Sequence, residues 1–196
     1  MPRLPPWSDA RAEEAYRALL AEMAAEFPGF RLLDKAAAPS QWLLHGLLVL
    51  FTLGGQRHYL TRYVTTLGRR VYVPPDWERR PPLERICTLR HERVHLRQFA
   101  RLGLVPMAVL YLLLPLPVGL AYFRMRLERE AYEESVRATF ELLGPERVLD
   151  PTYRRYLVAV FCGGAYGWMW PFPAAIERWF DGLCAELVAG AGSPPG

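Results

Sequence analysis

The chain has 196 residues, 52% of them apolar, with a net charge of only +4. That is enough apolar material for a sizeable core in one domain with an appended arm, and too little charge to build a nucleic-acid surface on charge alone. Lys35 is the only lysine and asparagine is absent, a pattern that fits a GC-rich, bacterial coding bias. Cys87, Cys162 and Cys184 are an odd, scattered set, which suits buried thiols in a reducing compartment and not a disulfide framework.

Residues 9–27 read as an amphipathic helix, with Ser8 or Asp9 to cap it and Pro28-Gly29 to end it. The N-terminus lacks the compact apolar core of a secretory signal, so a cytoplasmic location is expected. A linker is expected to follow, which divides the chain into an N-terminal helix with linker (1–38), a main domain (39–190) and a disordered tail (191–196). Residues 41–51 are strongly apolar but too short to span a bilayer. From His58 to Val73 the Tyr, Thr and Val content predicts a β-hairpin turning at Leu67-Gly68-Arg69, ended by Pro74-Pro75. Pro82 suits the first turn of a helix running to about Leu102. A stretch without charge covers 102–123, a second long helix about 120–143, ended by Gly144-Pro145, and a last amphipathic helix about 173–189. The uncharged segment 157–176 is broken by Gly163-Gly164, Gly167, Pro171 and Pro173, and reads as a packing element whose aromatics are also candidates for lining a cleft.

The helix over 82–102 carries His91-Glu92-Arg93-Val94-His95, the pattern HExxH. Residues four apart lie on one helical face, so both imidazoles can reach one zinc ion. Glu92 lies about 100° round the helix from His91, placed to take a proton from a water molecule as general base. His91 and His95 share an arc with Leu83, Cys87, Val94, Gln98 and Leu102, whereas Arg85, Arg90, Arg93 and Arg97 occupy the opposite one. The histidine arc is therefore expected to be buried. Along that opposite side Arg90, Arg93, Arg97 and Arg101 form a stripe, expected to be a solvated face or a surface for acidic lipid head groups.

A zinc site of this kind needs a third protein ligand. Acids on the later helix are the candidates: Glu128, Glu130, Glu133 and Glu134. Met125, Ala131, Tyr132, Val136, Thr139, Phe140 and Leu143 define that helix's apolar arc, and Glu128 alone of the four falls inside it. An isolated carboxylate in an apolar arc is costly unless compensated, so Glu128 is the expected ligand, with Glu130 as the substitute. Cys87, four residues before His91, also has ligand spacing but reads better as a structural thiol. His45 lies in an apolar run and reads as an ordinary core or surface histidine.

HExxH on one helix with Glu128-Arg129-Glu130-Ala131-Tyr132 on a following one resembles the gluzincin group of zinc peptidases, specifically the ExxAD pattern of the membrane CAAX prenyl proteases, the HtpX-type proteases and the minigluzincins. The resemblance covers about residues 58–143, and Tyr132 stands where that pattern has Asp. It implies a helix-rich α+β fold in which a small zincin-like sheet packs on the HExxH helix and on a second, glutamate-bearing helix. It implies zinc held by His91, His95 and Glu128, Glu92 as the base, an edge strand beside the site, and a peptide or protein substrate. An oxyanion stabiliser is then required, with Tyr132, Tyr166 and His58 as candidates.

The 102–123 run has the length of a membrane span, but a single crossing would separate His95 from Glu128. Pro106 and Leu114-Pro115-Leu116-Pro117 predict a reversal instead, giving either a core hairpin or an interfacial one. Contact with a membrane surface, peripheral or integral to the inner membrane, is the second outcome for location. The alternative function is a non-catalytic, membrane-peripheral structural or binding protein with a structural metal or none.

Overall fold

The computed structural model describes residues 7–39, 41–42, 61, 63–110, 121–164 and 169–192. His45, His58, Tyr166, positions 111–120 of the uncharged run and residues 193–196 lie outside the described residues. The architecture is helix-rich α+β with a small three-stranded mixed sheet. The chain divides into two compact units, Asp9–Met107 and a second within Ala108–Gly196.

The first unit begins with helix α1, Asp9–Glu26. Its buried residues, Ala12, Tyr16, Leu19 and Met23, recur every three or four positions and form one stripe. After Gly29, at φ 86°, strand β1 (Arg31–Asp34) appears in a segment expected to be a linker. Four residues are too few to carry a readable period; the strand exists because β3 offers it a pairing edge. Strands β2 (Thr65–Leu67) and β3 (Arg70–Val73) form a hairpin at the expected turn, with Gly68 at φ 61°, where a side chain is disfavoured; the first strand begins at Thr65 and not near His58, for Thr61 is helical and Tyr63 and Val64 are in no strand. The sheet order is β1-β3-β2. β1 runs parallel to β3 with Leu33 opposite Tyr72, and β2 runs antiparallel to it with Thr66 opposite Val71. A single helical turn at Trp77–Arg79 leads into helix α2, Pro82–Leu102. Proline at the first position and Gly103 at φ 82° after the last explain why these bounds match the sequence expectation. A short helix α3, Leu104–Ala108, follows.

Helix α2 is buried on more than one side, by α1 and by the strand β2. Here the arginine side departs from expectation. Arg85, 4% exposed, pairs with Glu13 and Glu78 and lies 4.0 Å over the Tyr16 ring. Arg93 pairs with Glu22 and Glu26, and Arg97 with Glu26. The pairs advance together along both helices, so α1 and α2 run parallel with an ionic seam between them. These arginines serve the fold, and neither a solvated face nor a lipid surface describes Arg85 and Arg93.

The second unit contains α4 (Tyr122–Leu143), α5 (Pro145–Leu149), α6 (Pro151–Cys162) and α7 (Pro173–Gly192). Neither α5 nor α6 is expected from the sequence: α5 has only five residues, and α6 runs from a charged start into the uncharged segment at 157. Each opens on a proline at its first position, and the Asp150 side chain caps α6 by accepting from Thr152 N. Val136, Leu157, Phe161, Met169, Ile176 and Phe180 belong to one core, so the ends of the 157–176 segment are packing elements. None of the three cysteines is in a disulfide bond. Burial raises the Cys162 thiol and pushes that of Cys184 up to about 11, which keeps both protonated and inert. Among the described residues no helix is long and apolar enough to cross a membrane.

Candidate metal centre

The centre is built on α2. His91 and His95 are one turn apart, and their Nε2 atoms converge to 3.2 Å. A tetrahedral ion about 2.0–2.1 Å from each of two imidazole nitrogens holds them roughly 3.3 Å apart, so the pair already has the spacing of two ligands to one zinc. The rings meet edge to face, with centroids 4.9 Å apart. His95 is buried and His91 half-buried.

Gln98 orients the inner ring. Its side-chain oxygen lies 2.9 Å from His95 Nδ1. An amide oxygen only accepts, so the proton of neutral His95 sits on Nδ1 and Nε2 keeps its lone pair. Gln98 is 1% exposed, and a buried amide set against Nδ1 is the kind of partner that fixes the tautomer of a metal-binding histidine. The sequence places Gln98 on the correct arc but gives no sign of this contact.

Glu92 is 5% exposed. Its Oε2 accepts the Thr66 hydroxyl of β2 at 2.6 Å, which ties α2 to the edge strand. On the same strand Thr65 accepts from Lys35 Nζ at 2.7 Å, and that amine also donates to the carbonyl of Tyr63, just before the strand, at 3.0 Å. Lys35 is fully buried. Burial pushes its pKa down to about 7, against the opposing pull of the Glu92 charge. Neither Thr66 nor Lys35 was foreseen. Their contacts join residues 26 and 30 apart in sequence, beyond any local pattern, although a single fully buried lysine in an arginine-rich chain is a signal in retrospect.

In the second unit Glu128 sits on the inward face of α4 and is 3% exposed, whereas Glu130 is exposed. The apolar-arc reading of these two acids therefore matches their burial. Tyr132 is also buried, with its ring 5.5 Å from that of Phe161 in the helical core. Cys87 is half-buried on α2. No protein-family model, curated protein or solved structure matches the chain.

Proposed function

We propose that the protein is a zinc-dependent metallopeptidase of gluzincin type, with a zincin-like arrangement of sheet and metal helix. The observation that carries this reading is the convergence of the His91 and His95 Nε2 atoms to 3.2 Å on a helix that also bears Glu92. Two imidazoles and a carboxylate are a donor set that suits zinc. His91, His95 and Glu128 each offer one ligand atom of that set, and burial of the Glu128 carboxylate favours it over Glu130 as third ligand. When bound, zinc supplies a Lewis acid that polarises the scissile carbonyl and acidifies water.

The chain's own groups carry the proton. Glu92 takes one from water as the water oxygen adds to the carbonyl carbon of a peptide. It then delivers that proton to the amine as the C–N bond breaks, so the products are a carboxylate and a free amine. Gln98 holds His95 in the ligating tautomer throughout. Tyr132, Tyr166 and His58 stand as the candidates for the oxyanion. Three cysteines without a disulfide favour a reducing, cytoplasmic setting. Leu104 and Val105, at the described start of the uncharged run, are 53% and 71% exposed, which favours contact of that run with a membrane surface.

The test is metal analysis of the purified chain beside hydrolysis of a fluorescence-quenched peptide library. Glu92→Gln is expected to keep zinc and to lose about 10²–10⁴-fold in rate. A Gln variant as fast as the parent refutes the role. A parent without zinc, whose melting temperature ignores chelator, favours the non-catalytic alternative. Glu128→Ala is expected to lower zinc occupancy; unchanged occupancy moves the third ligand to Glu130 or elsewhere.

A further inference from the structure

We infer that Thr66 is the positioning residue of Glu92 and that Lys35 braces the strand that presents it, an inference that rests on the hydrolytic reading above. A glutamate has several rotatable bonds, and a proton-transfer group must be held near one geometry to work well. Glu92 Oε2 accepts the Thr66 hydroxyl at 2.6 Å, within the short range of an O–H···O bond to a carboxylate. The contact fixes the carboxylate from the sheet side through Oε2.

Thr66 can hold Glu92 only if Thr66 is itself held, and β2 is a three-residue edge strand. Two attachments supply the stiffness. One is the antiparallel register that sets Thr66 opposite the fully buried Val71. The other is Lys35. Its backbone N–H extends the β1–β3 ladder by donating to the Val73 carbonyl at 2.8 Å, and its Nζ reaches across to Tyr63 O and Thr65 Oγ1. The amine thus grips the residue next to Thr66 and one three positions before it. Neighbouring strand residues point to opposite faces, so bracing Thr65 leaves the Thr66 hydroxyl free for Glu92. The site calls for a compact donor reaching two converging acceptors, which an ammonium or amine meets and a planar guanidinium does not. That accounts for a lysine here in a chain whose other fixed cations are all arginine.

The experiment measures kcat and KM on the quenched peptides for the zinc-loaded full chain and for Thr66→Val and Thr66→Ser. Valine keeps the shape and removes the hydroxyl. Thr66→Val is expected to retain zinc and far-UV dichroism, to keep KM within about twofold and to lose roughly 10–100-fold in kcat. Thr66→Ser is expected to recover most of that loss. An unchanged kcat in Thr66→Val, a raised KM with kcat intact, or failure of serine to rescue each overturns the positioning role. If the valine variant does not fold, Thr66→Ala carries the same comparison. A zinc-loaded parent that hydrolyses nothing brings down the hydrolytic reading together with this one. An active parent with an indifferent valine variant brings down the Thr66 role alone.

Discussion

Replacement of Lys35 by methionine is expected to change how stability depends on pH. The native amine is fully buried and titrates near 7, against 10.5 for an exposed lysine. The unfolded chain therefore binds more protons than the native chain between those values, and stability rises with pH across that window. Below about pH 7 both states carry the proton and the native state bears the whole cost of the buried charge, roughly 5 kcal/mol for a displacement of this size. By about pH 9 the native amine is neutral and part of the cost is gone, which leaves the parent roughly 2.5 kcal/mol more stable than near pH 6 on account of this group. Lys35→Met also strands the Tyr63 carbonyl, but that loss is independent of pH and shifts the curve without tilting it. Urea unfolding of the chelated chain at both pH values gives the tilt. The parent is expected to gain over the variant by that amount, with the histidines titrating alike in both. Because Lys35 is the only lysine, isotope-labelled lysine gives a single side-chain signal whose midpoint reads the native pKa directly. Parallel pH–stability lines, or a native midpoint above about 10, refute the reasoning.

Two structural predictions follow from single contacts. The Trp77 indole donates to the Tyr16 hydroxyl at 2.9 Å, with both residues buried, so Tyr16→Phe leaves a buried N–H without its acceptor and is expected to cost about 1–3 kcal/mol in urea unfolding; an unchanged midpoint shows that water reaches the indole. Gly144, at φ 93° and ψ 161°, ends α4 in a region essentially restricted to glycine, and an added Cβ would lie 3.1 Å from the Glu146 carboxyl. Gly144→Ala is expected to cost about 1–3 kcal/mol, and a variant with parental stability rules out strain at this helix end.

What the sequence revealed follows the range of the interactions that fix each feature. Helix α2 was legible in its approximate bounds because Pro82 marks its start chemically, and the turn of the hairpin because Gly68 sits in it. His91 and His95 were legible because their relation is one turn of one helix, and the burial of Glu128 because an apolar arc is also a property of one helix. β1 was not, since Arg31–Asp34 becomes a strand only through β3. Nor was the role of the arginines: Arg85, Arg93 and Arg97 look like a wet face until Glu13, Glu22 and Glu26 of α1 are set beside them. Those acids have helical spacing too, so the seam was written on both helices but could be read only by pairing them.

The same rule explains the division within the metal centre. The proposed ligands His91 and His95 and the proposed base Glu92 come from one local motif and announce themselves. The groups that fix their geometry do not: Gln98 carries no motif, and Thr66 and Lys35 act across the sheet. A pattern such as HExxH arises by chance, but chance supplies no buried amide oxygen at 2.9 Å from His95 Nδ1 and no hydroxyl at 2.6 Å from the Glu92 carboxylate. An ordinary buried histidine needs only some partner for each nitrogen. Here the Nδ1 partner is an acceptor, which leaves the lone pair of Nε2 facing the second imidazole at 3.2 Å, an arrangement that serves a shared cation and equally a hydrogen bond from the His91 Nε2–H. Loss of Gln98 is the change that separates the two accounts: Gln98→Leu weakens zinc binding by about 10–100-fold if the contact orients a ligand, and leaves it unchanged if the contact only satisfies a buried ring.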